Sequence, residues 1–446
     1  MNLDLLGEEG TGGRDGGDGG GVSVALVEGG GGGGGGAVVG GEYDVEVLDG
    51  PDAVRRGTKL SAEANLANST IGAGILALPI VLSYCGLVPG VALVVAMGLM
   101  ADFSLNLLTS VAKTMPQNRL TYEDAGVMFL GGAKGSKLVE ICTIGINFGA
   151  VTAYVIILGD MIVPLAKLVF PDDSIMTSRE VLTLILATGA MLPLALLRRI
   201  NSLRYASLLS LAMVITFVVV VLVDSATKSS NSHISGRHED IAWFRLSSDL
   251  FKGVPLITFA FACHTNLFPV LKEMPTLKRF SHAIHASTLT CGTLYLTAGI
   301  AGYVVFLSQT RGNLLVGYPD DSVLFNILRA LFCLTMVLTY PLAGYPVRLS
   351  VDRMLFPKAA REMTTARLVG VTVGIWVAAV SLALAVPNVT VVFGLVGSTA
   401  SMFTSYILPG LLFYRCVELQ RESPRWKRWA AVVLVVAGVV LGVTST

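Results

Sequence analysis

A polar, glycine-rich stretch interrupts the first long apolar segment of this chain. Between Asn65 and Pro79 the sequence places Asn68, Gly72 and Gly74 where a lipid-facing helix would carry large apolar residues. In hydrocarbon every backbone N–H and C=O needs a partner, so a loosened helix is stable only where it lines a cavity. Such a break in the first span, repeated later in the chain, is typical of secondary transporters with a binding site at mid-membrane.

The backbone at this break suits both an anion and a cation. Gly72 and Gly74 leave room for a ligand, and the half-helix that begins there presents N–H groups and a positive dipole end, which favour a carboxylate. Loosened carbonyls with the side-chain oxygen of Asn68 favour a small hard cation such as sodium. The alternative interpretation is close helix packing, which small residues at this spacing also favour.

Further polar residues lie in later apolar segments. Thr335 and Thr339, one turn apart ahead of Pro341, carry hydroxyls that would either complete a sodium shell or bond the carbonyl four residues earlier. His264 lies in a second polar interruption. It would contact a polar group of the substrate, carry a proton, or simply be a packed histidine.

Other polar and ionisable residues also fall inside predicted spans. Asn147 and Tyr154, on one predicted helix, would border the same cavity. Asp102, Asp160 and Arg329 are ionisable residues of a kind that is rare in membranes and usually functional. Asp160 is near a helix end, where water would solvate it. For Arg329 the alternatives to a role in transport are a side chain that extends its charged end to the membrane surface and a structural ion pair.

The composition is that of a polytopic membrane protein. Hydrophobic residues make up 53% of the 446 and charged residues 14%, whereas soluble domains carry about 25% charged residues. The net charge of +1 gives no reason to expect nucleic acid. The six cysteines form no C-x-x-C pair, so neither a disulfide framework nor a metal site is indicated. We find no P-loop or hydrolase motif, which argues against an enzyme and against ATP as a partner.

Apolar segments long enough to cross a bilayer predict about eleven transmembrane helices. They lie near 61–83, 87–112, 138–168, 180–197, 203–223, 250–270, 282–307, 322–347, 368–386, 389–414 and 429–445. Residues 1–58 are glycine-rich, with an unbroken run from Gly29 to Gly36, and are expected to be a disordered cytoplasmic tail.

Most lysines and arginines fall in the connections that are cytoplasmic if the amino terminus is inside. The positive-inside rule therefore predicts a cytoplasmic amino terminus and an extracellular or luminal carboxy terminus.

The spans divide into two sets of five that must enter the membrane from opposite faces. We expect an inverted repeat, with repeat one at 59–224, repeat two at 250–414 and an extra helix at 429–445. The first helix of repeat two is interrupted like that of repeat one, by Gly253, Pro255 and the run Phe261–Pro269. The alternative is a pair of ordinary Gly/Pro kinks, which membrane helices also contain.

These motifs resemble those of a known family. The run Asn68–Pro79 is similar to the first-helix motif of the amino acid/auxin permease family, and closest to its sodium-coupled neutral amino acid transporters. The supporting similarities, in the same order along the chain, are Ala101–Leu105, Tyr154–Asp160, Cys263–Asn266 with Pro269, Leu338–Pro341 and Tyr345–Arg348.

The resemblance implies an all-α membrane fold with the five-plus-five inverted repeat of the leucine transporter. It implies that Asn68 and Thr339 serve sodium, with Thr335 as the alternative to Thr339. The substrate would meet exposed backbone at Ile71, Gly72, Ala73 and Gly74 and around Cys263, bordered by His264 and Asn147. Arg348 and Asp352 would belong to the cytoplasmic end of helix eight.

Taken together, the sequence predicts an integral membrane carrier that moves neutral amino acids such as glutamine with sodium by alternating access. No cofactor is expected beyond sodium, or a proton, as coupling ion. One alternative is a proton-coupled carrier, because proton coupling is common in the wider family that the motifs resemble. The resemblance also leaves a vacuolar or lysosomal membrane open besides the plasma membrane, because the loop after the fifth span is short and lacks cysteine, whereas several animal members carry a long, disulfide-bonded loop. The other alternative is a non-transporting amino acid sensor, because a fold alone does not fix function.

Overall fold

The computed structural model describes residues 59–171, 174–198, 204–230, 241–245, 247–274, 280–356, 363–420 and 424–446. All regular structure within these ranges is helical. The tail predicted to be disordered, residues 1–58, lies outside the described residues.

The first half of the described chain contains eight helices. They are α1 (Lys59–Thr70), α2 (Leu78–Cys85), α3 (Leu87–Ala112), α4 (Tyr122–Phe129), α5 (Ala133–Lys167), α6 (Arg179–Leu186), α7 (Leu192–Ala195) and α8 (Arg204–Ser230). A π turn, Ala187–Met191, joins α6 to α7 without a break.

The second half of the described chain contains eight more. They are α9 (Leu250–Ala260), α10 (Leu267–Glu273), α11 (Phe280–Phe306), α12 (Val323–Leu355), α13 (Thr365–Ala385), α14 (Val389–Val396), α15 (Leu408–Gln420) and α16 (Arg425–Ser445). Two π turns, Gly397–Ser401 and Phe403–Ile407, lie between α14 and α15.

Among the described residues, nine helices are long and apolar enough to cross a bilayer, or ten if α1 and α2 form one span. The fourth predicted span, 180–197, coincides with the helical stretch Arg179–Ala195. This stretch is shorter than the others because it starts at the cap provided by Ser178, whose Oγ accepts from Val181 N–H, and ends by Leu196. It is therefore the one predicted span not counted among these helices.

Both predicted interruptions are present. Between α1 and α2 the chain bends by 50°, with Gly72 extended at φ −133° and a 3-10 turn at Ala73–Ala77. Pro79, at the start of α2, has no N–H to continue the preceding turn. Between α9 and α10 the chain passes through a 3-10 turn at His264–Asn266.

The helices that follow the breaks in sequence hold them in place. α5 and α12 pack along each other through the middle of the molecule, and α11 packs against α1, α2, α3 and α8. The apolar core is continuous across these contacts and includes Ile75, Leu76 and Leu78 of the first break, all fully buried. The breaks are thus enclosed by protein, as unwound backbone in a membrane requires.

Candidate functional site

A cavity of about 290 Å³ lies between the two breaks. Four segments enclose it: the first break, the second break, the middle of α5 and the middle of α12. Its lining residues are Asn68, Ser69, Thr70, Gly72, Ala73, Gly74, Ile146, Asn147, Ala150, Tyr154, Phe259, Ala260, Ala262, Thr265, Asn266, Thr339, Leu342 and Ala343. We call this the central cavity.

The first break offers backbone donors to the central cavity. The first hydrogen bond of the 3-10 turn runs from Ile75 N–H to Gly72 O at 3.4 Å. The N–H groups of Gly72, Ala73 and Gly74 therefore have no carbonyl within this turn to which they could donate. A helix start of this kind favours a carboxylate. Gly74 also lets the breaks touch, because a Cβ there would lie 3.0 Å from the Cα and Cβ of Ala260.

One tyrosine holds the ends of both half-helices. Tyr295 on α11 is fully buried, and its hydroxyl lies 2.8 Å from Thr70 O and 2.7 Å from Ala260 O. Thr70 ends α1 and Ala260 ends α9, so these carbonyls are among those that a helix end leaves without an intrahelical partner. Tyr295 is not among the site residues predicted from the sequence. The available signal was a tyrosine within a span, since a buried tyrosine hydroxyl usually has a partner.

The second break contributes Ala262, Thr265 and Asn266 to the lining, but neither Cys263 nor His264. Both of these residues are buried. His264 Nε2 lies 3.1 Å from Ser104 Oγ on α3, and Ser104 in turn donates to Ser405 O. Because that bond uses the hydroxyl proton of Ser104, His264 Nε2 must be the donor. The structure therefore gives His264 a packed, hydrogen-bonded position behind the break.

The α5 and α12 walls carry the remaining polar groups. Asn147 Nδ2 donates to Thr143 O at 2.9 Å, which leaves its carbonyl oxygen available. Thr339 Oγ1 donates to Thr335 O at 2.7 Å, and Thr335 Oγ1 donates to Leu331 O at 2.9 Å. Both threonines thus donate to the carbonyl four residues earlier, which was the predicted alternative to completing a sodium shell. Their oxygen lone pairs can still accept or bind a cation.

A second cavity of about 50 Å³ adjoins the first. Its lining residues are Asn68, Ser69, Ile71, Gly72, Tyr154, Ser210, Met213, Val214, Phe332, Thr335, Met336 and Thr339. We call this the small cavity. It has room for an ion or a few waters. Asn68 Oδ1 is buried and has no hydrogen-bond partner among the described residues, and a buried acceptor of this kind is costly unless something binds it.

The structure divides the predicted site residues into three groups. The predicted residues that line the central cavity are Asn68, Gly72, Ala73, Gly74, Asn147 and Thr339. Ile71 and Thr335 line only the small cavity. Cys263 and His264 line neither cavity. Tyr154, noted in the sequence only as a border residue, lines both cavities.

Two of the intramembrane ionisable residues make structural contacts. Arg179 bonds Asp160 Oδ1 through Nε at 3.1 Å and Nη2 at 3.0 Å. Arg329 is fully buried and donates to Leu315 O, Tyr318 O, Pro319 O and Asn326 Oδ1. These contacts support a structural role for Arg329 rather than a role in transport.

The predicted cytoplasmic end of α12 is anchored in a similar way. Arg348 donates to Ala195 O at 2.8 Å and to Leu197 O at 3.3 Å. Asp352 pairs with Arg367 at the start of α13. These bonds join α12 to α7 and α13, so they position the helix that carries Thr339.

The sequence from residue 55 to residue 446 matches the family described as "Transmembrane amino acid transporter protein". The chain belongs to this family. The resemblance seen in its motifs is thereby confirmed, and a carrier family rather than an enzyme family accounts for the chain.

Curated relatives from plants, fish and yeast support the assignment. Amino acid transporter AVT6C of Arabidopsis thaliana is 28% identical over 84% of this chain and 89% of its own length. Sodium-coupled neutral amino acid symporter 2 of Danio rerio is 28% identical, with coverages of 84% and 79%. Vacuolar amino acid transporter 6 of Saccharomyces cerevisiae is 27% identical, with coverages of 86% and 97%.

Solved structures confirm the fold. The crystal structure of MhsT in complex with L-phenylalanine aligns with a TM-score of 0.60 and 11% identity, over 87% of this chain and 98% of MhsT. The inward-facing conformation of Mhp1 aligns with a TM-score of 0.55 and 13% identity, over 86% and 88%. The chain therefore has the leucine-transporter fold with its inverted repeats. At these identities the likeness shows the architecture alone.

Proposed function

We propose that this protein is a secondary active transporter that carries one neutral amino acid in the central cavity and sodium in the small cavity. The observation that carries the proposal is the pair of adjoining cavities at the first break. One has backbone donors for a carboxylate, and the other holds an unpaired amide oxygen. Alternating access would then move both ligands across the membrane.

The lining of the central cavity supports a neutral substrate. No Asp, Glu, Lys or Arg occurs among its lining residues in the described part of the chain. The amide and hydroxyl groups of Asn147, Asn266 and Thr265 would suit the side-chain amide of glutamine. At about 290 Å³ the cavity is near the small end of ligand sites, which fits one amino acid better than a peptide.

The donor set of the small cavity supports sodium. Asn68 Oδ1 and the hydroxyls of Thr335 and Thr339 are hard oxygen ligands. Loosened carbonyls of the first break would complete the shell, as in other carriers with unwound helices. The name of the fish relative includes sodium coupling.

The Lys and Arg distribution supports a cytoplasmic amino terminus. Because the yeast relative is a vacuolar amino acid transporter by name, a vacuolar membrane is a candidate location besides the plasma membrane.

The experiment that tests the proposal is uptake of radiolabelled glutamine into proteoliposomes under an imposed sodium or proton gradient. We expect accumulation that needs sodium in the wild type. In Asn68→Ala the apparent affinity for sodium should fall by at least about tenfold, since one hydrogen bond or ligand to a charge contributes about 1.5–3 kcal/mol. Asn65→Ala is the matched control, because Asn65 lies one turn earlier and bonds Glu273 instead.

Two outcomes would contradict parts of the proposal. Uptake driven by protons alone and unchanged in Asn68→Ala would refute the sodium site and support the proton-coupled alternative. Saturable glutamine binding without uptake under either gradient would refute the carrier and support the sensor.

A further inference from the structure

The last helix, α16, presents a continuous apolar row away from the rest of the protein. Among the described helices that are long enough to span a bilayer, it is the least buried. Six of its exposed side chains are spaced alternately three and four residues apart, which places them on one side of the helix. We call them the outer row: Trp426, Trp429, Val433, Val436, Val440 and Val443.

The opposite side of α16 carries the small residues and packs on the transporter. A Cβ on Gly438 would lie 3.0 Å from Ile407 Cγ1, and one on Gly442 would lie 3.0 Å from Ser398 O. Membrane helices approach each other closely through small residues of this kind. The outer row contains only valine and tryptophan, so it lacks the feature that favours a second helix. Lipid is therefore the occupant that its composition favours.

The length of α16 places the two tryptophans at the edge of the bilayer. The helix has 21 residues, from Arg425 to Ser445, and at 1.5 Å per residue it is about 31 Å long, close to the thickness of the hydrocarbon core. Trp426 and Trp429, which are 61% and 70% exposed, lie in its first turns. Tryptophan is enriched at this level of a membrane, where lipid headgroups begin.

Three positive charges lie at the same level. Arg425, Lys427 and Arg428 are within the first four residues of α16, and the first turn contains no acidic residue. None of the three makes an ion pair with any residue that the structure describes. Glu418, near the end of α15, pairs with Arg415 instead, at 2.9 Å. The start of α16 thus has a positive charge that no described side chain neutralises.

Aromatic rings hold two of these cations near the outer row. Lys427 Nζ lies 5.6 Å from the ring centroid of Trp426, and Arg428 Cζ lies 5.7 Å from that of Tyr414. Such contacts are attractive but leave the charge in place. An anion can therefore still bind these groups.

We propose that the start of α16 binds the headgroup of an anionic phospholipid while the outer row contacts its acyl chains. Arg425 and Arg428 are one turn apart, and a guanidinium matches a phosphate with two parallel hydrogen bonds. The positive-inside rule places this end of α16 at the cytoplasmic leaflet, which carries anionic lipids. The inference goes beyond the proposed function and does not rest on it, because neither substrate nor sodium is involved.

The two parts of the surface should have separable effects on lipid binding. The outer row favours any phospholipid, because acyl chains are alike in zwitterionic and anionic lipids. The cations provide the preference for anionic lipid, at about fivefold in affinity for each Lys or Arg near the headgroups. Because the charges are exposed, salt should reduce this preference.

The test is native mass spectrometry of the purified full chain, titrated with phosphatidylserine or with phosphatidylcholine of the same acyl chains. We expect the wild type to bind phosphatidylserine more tightly. In the double variant Arg425→Gln/Arg428→Gln the affinity for phosphatidylserine should fall about 25-fold, and that for phosphatidylcholine should stay the same.

The matched control is Lys134→Gln/Lys137→Gln, which removes two exposed cations at the start of α5, on the same predicted face. It should keep the wild-type preference. An equal loss in both double variants would show that overall charge rather than this site attracts the lipid, and would overturn the proposal. Equal binding of the two lipids by the wild type would overturn it as well.

Trp429→Ala tests the contribution of the outer row. It should weaken binding of both lipids by the same factor and leave their ratio unchanged. A loss confined to phosphatidylserine would show that the outer row does not contact the acyl chains. The same spectra reveal dimers, and a dimer that forms with release of the bound lipid would assign the outer row to a second copy of the chain and overturn the proposal.

Discussion

Replacement of Tyr295 by phenylalanine tests whether the two breaks depend on a shared hydroxyl. The ring of Tyr295 is fully buried and packs edge-on against Phe261, with centroids 5.1 Å apart. Phenylalanine keeps this packing and removes only the oxygen, so no large cavity is created. The change therefore isolates the contacts to Thr70 O and Ala260 O.

The expected cost follows from the number of hydrogens. Tyr295 has one hydroxyl proton for two carbonyls at 2.8 Å and 2.7 Å, so the variant loses about one hydrogen bond rather than two. Leaving a buried acceptor without a partner costs about 1–3 kcal/mol. We expect the unfolding free energy to fall by that amount. Where the lost hydrogen bond also destabilises the ligand-binding conformation, KM should rise about fivefold for each 1 kcal/mol of that destabilisation.

Thermal unfolding and uptake kinetics on the same preparation measure both effects. Tyr303→Phe is the matched control, since Tyr303 lies on the same helix but accepts from Ala242 N–H in the loop before α9, at 3.1 Å. It should lose some stability with KM unchanged. The reasoning is refuted if Tyr295→Phe has the Tm and KM of the wild type, or if both variants raise KM equally.

Two further changes address alternatives raised by the sequence. Gly74→Ala should lower stability by about 1–3 kcal/mol by overpacking, because its Cβ would meet Ala260. Gly72→Ala has room, with Tyr154 Oη as its nearest neighbour at 3.7 Å, so it should keep the wild-type Tm and lose uptake; full uptake would show that no ligand needs the space beside Gly72. Arg179→Leu should destabilise the fold by about 3 kcal/mol, since it leaves the largely buried carboxylate of Asp160 without its charged partner and with only the amide of Asn313. Adding Asp160→Asn should restore part of the lost Tm, and failure to do so would refute the pairing argument.

The sequence was sufficient to predict both breaks, because Gly and Pro act locally on the backbone. Gly72 and Pro79 interrupt the first span for reasons that need no tertiary contact. The same holds for the apolar spans, since bilayer thickness sets their length. The fourth span begins one residue earlier than predicted, at the cap provided by Ser178, and ends two residues earlier than predicted, at Ala195.

Side-chain direction within a break was not predictable from the sequence. The positions of His264 and Cys263 depend on a 3-10 turn, where successive residues rotate by a different angle than in an α-helix. The sequence placed both residues near the site, and the turn directs them behind it. Likewise, the sequence alone left open whether Thr339 bonds its own helix. The structure shows the bond to Thr335 O, and the role of Thr339 as a sodium ligand stays a prediction.

The two cavities share enough of their walls to make coupling of their ligands a physical expectation. Asn68, Gly72, Tyr154 and Thr339 line both. A cation that fixes Asn68 and Thr339 would therefore also fix the wall that we propose for the substrate carboxylate. Binding coupling is reciprocal, so sodium should raise the affinity for glutamine by the same factor by which glutamine raises the affinity for sodium. Equilibrium binding of each ligand at saturating and zero concentrations of the other measures both factors, and a factor of one would mean that the shared wall does not couple the two ligands.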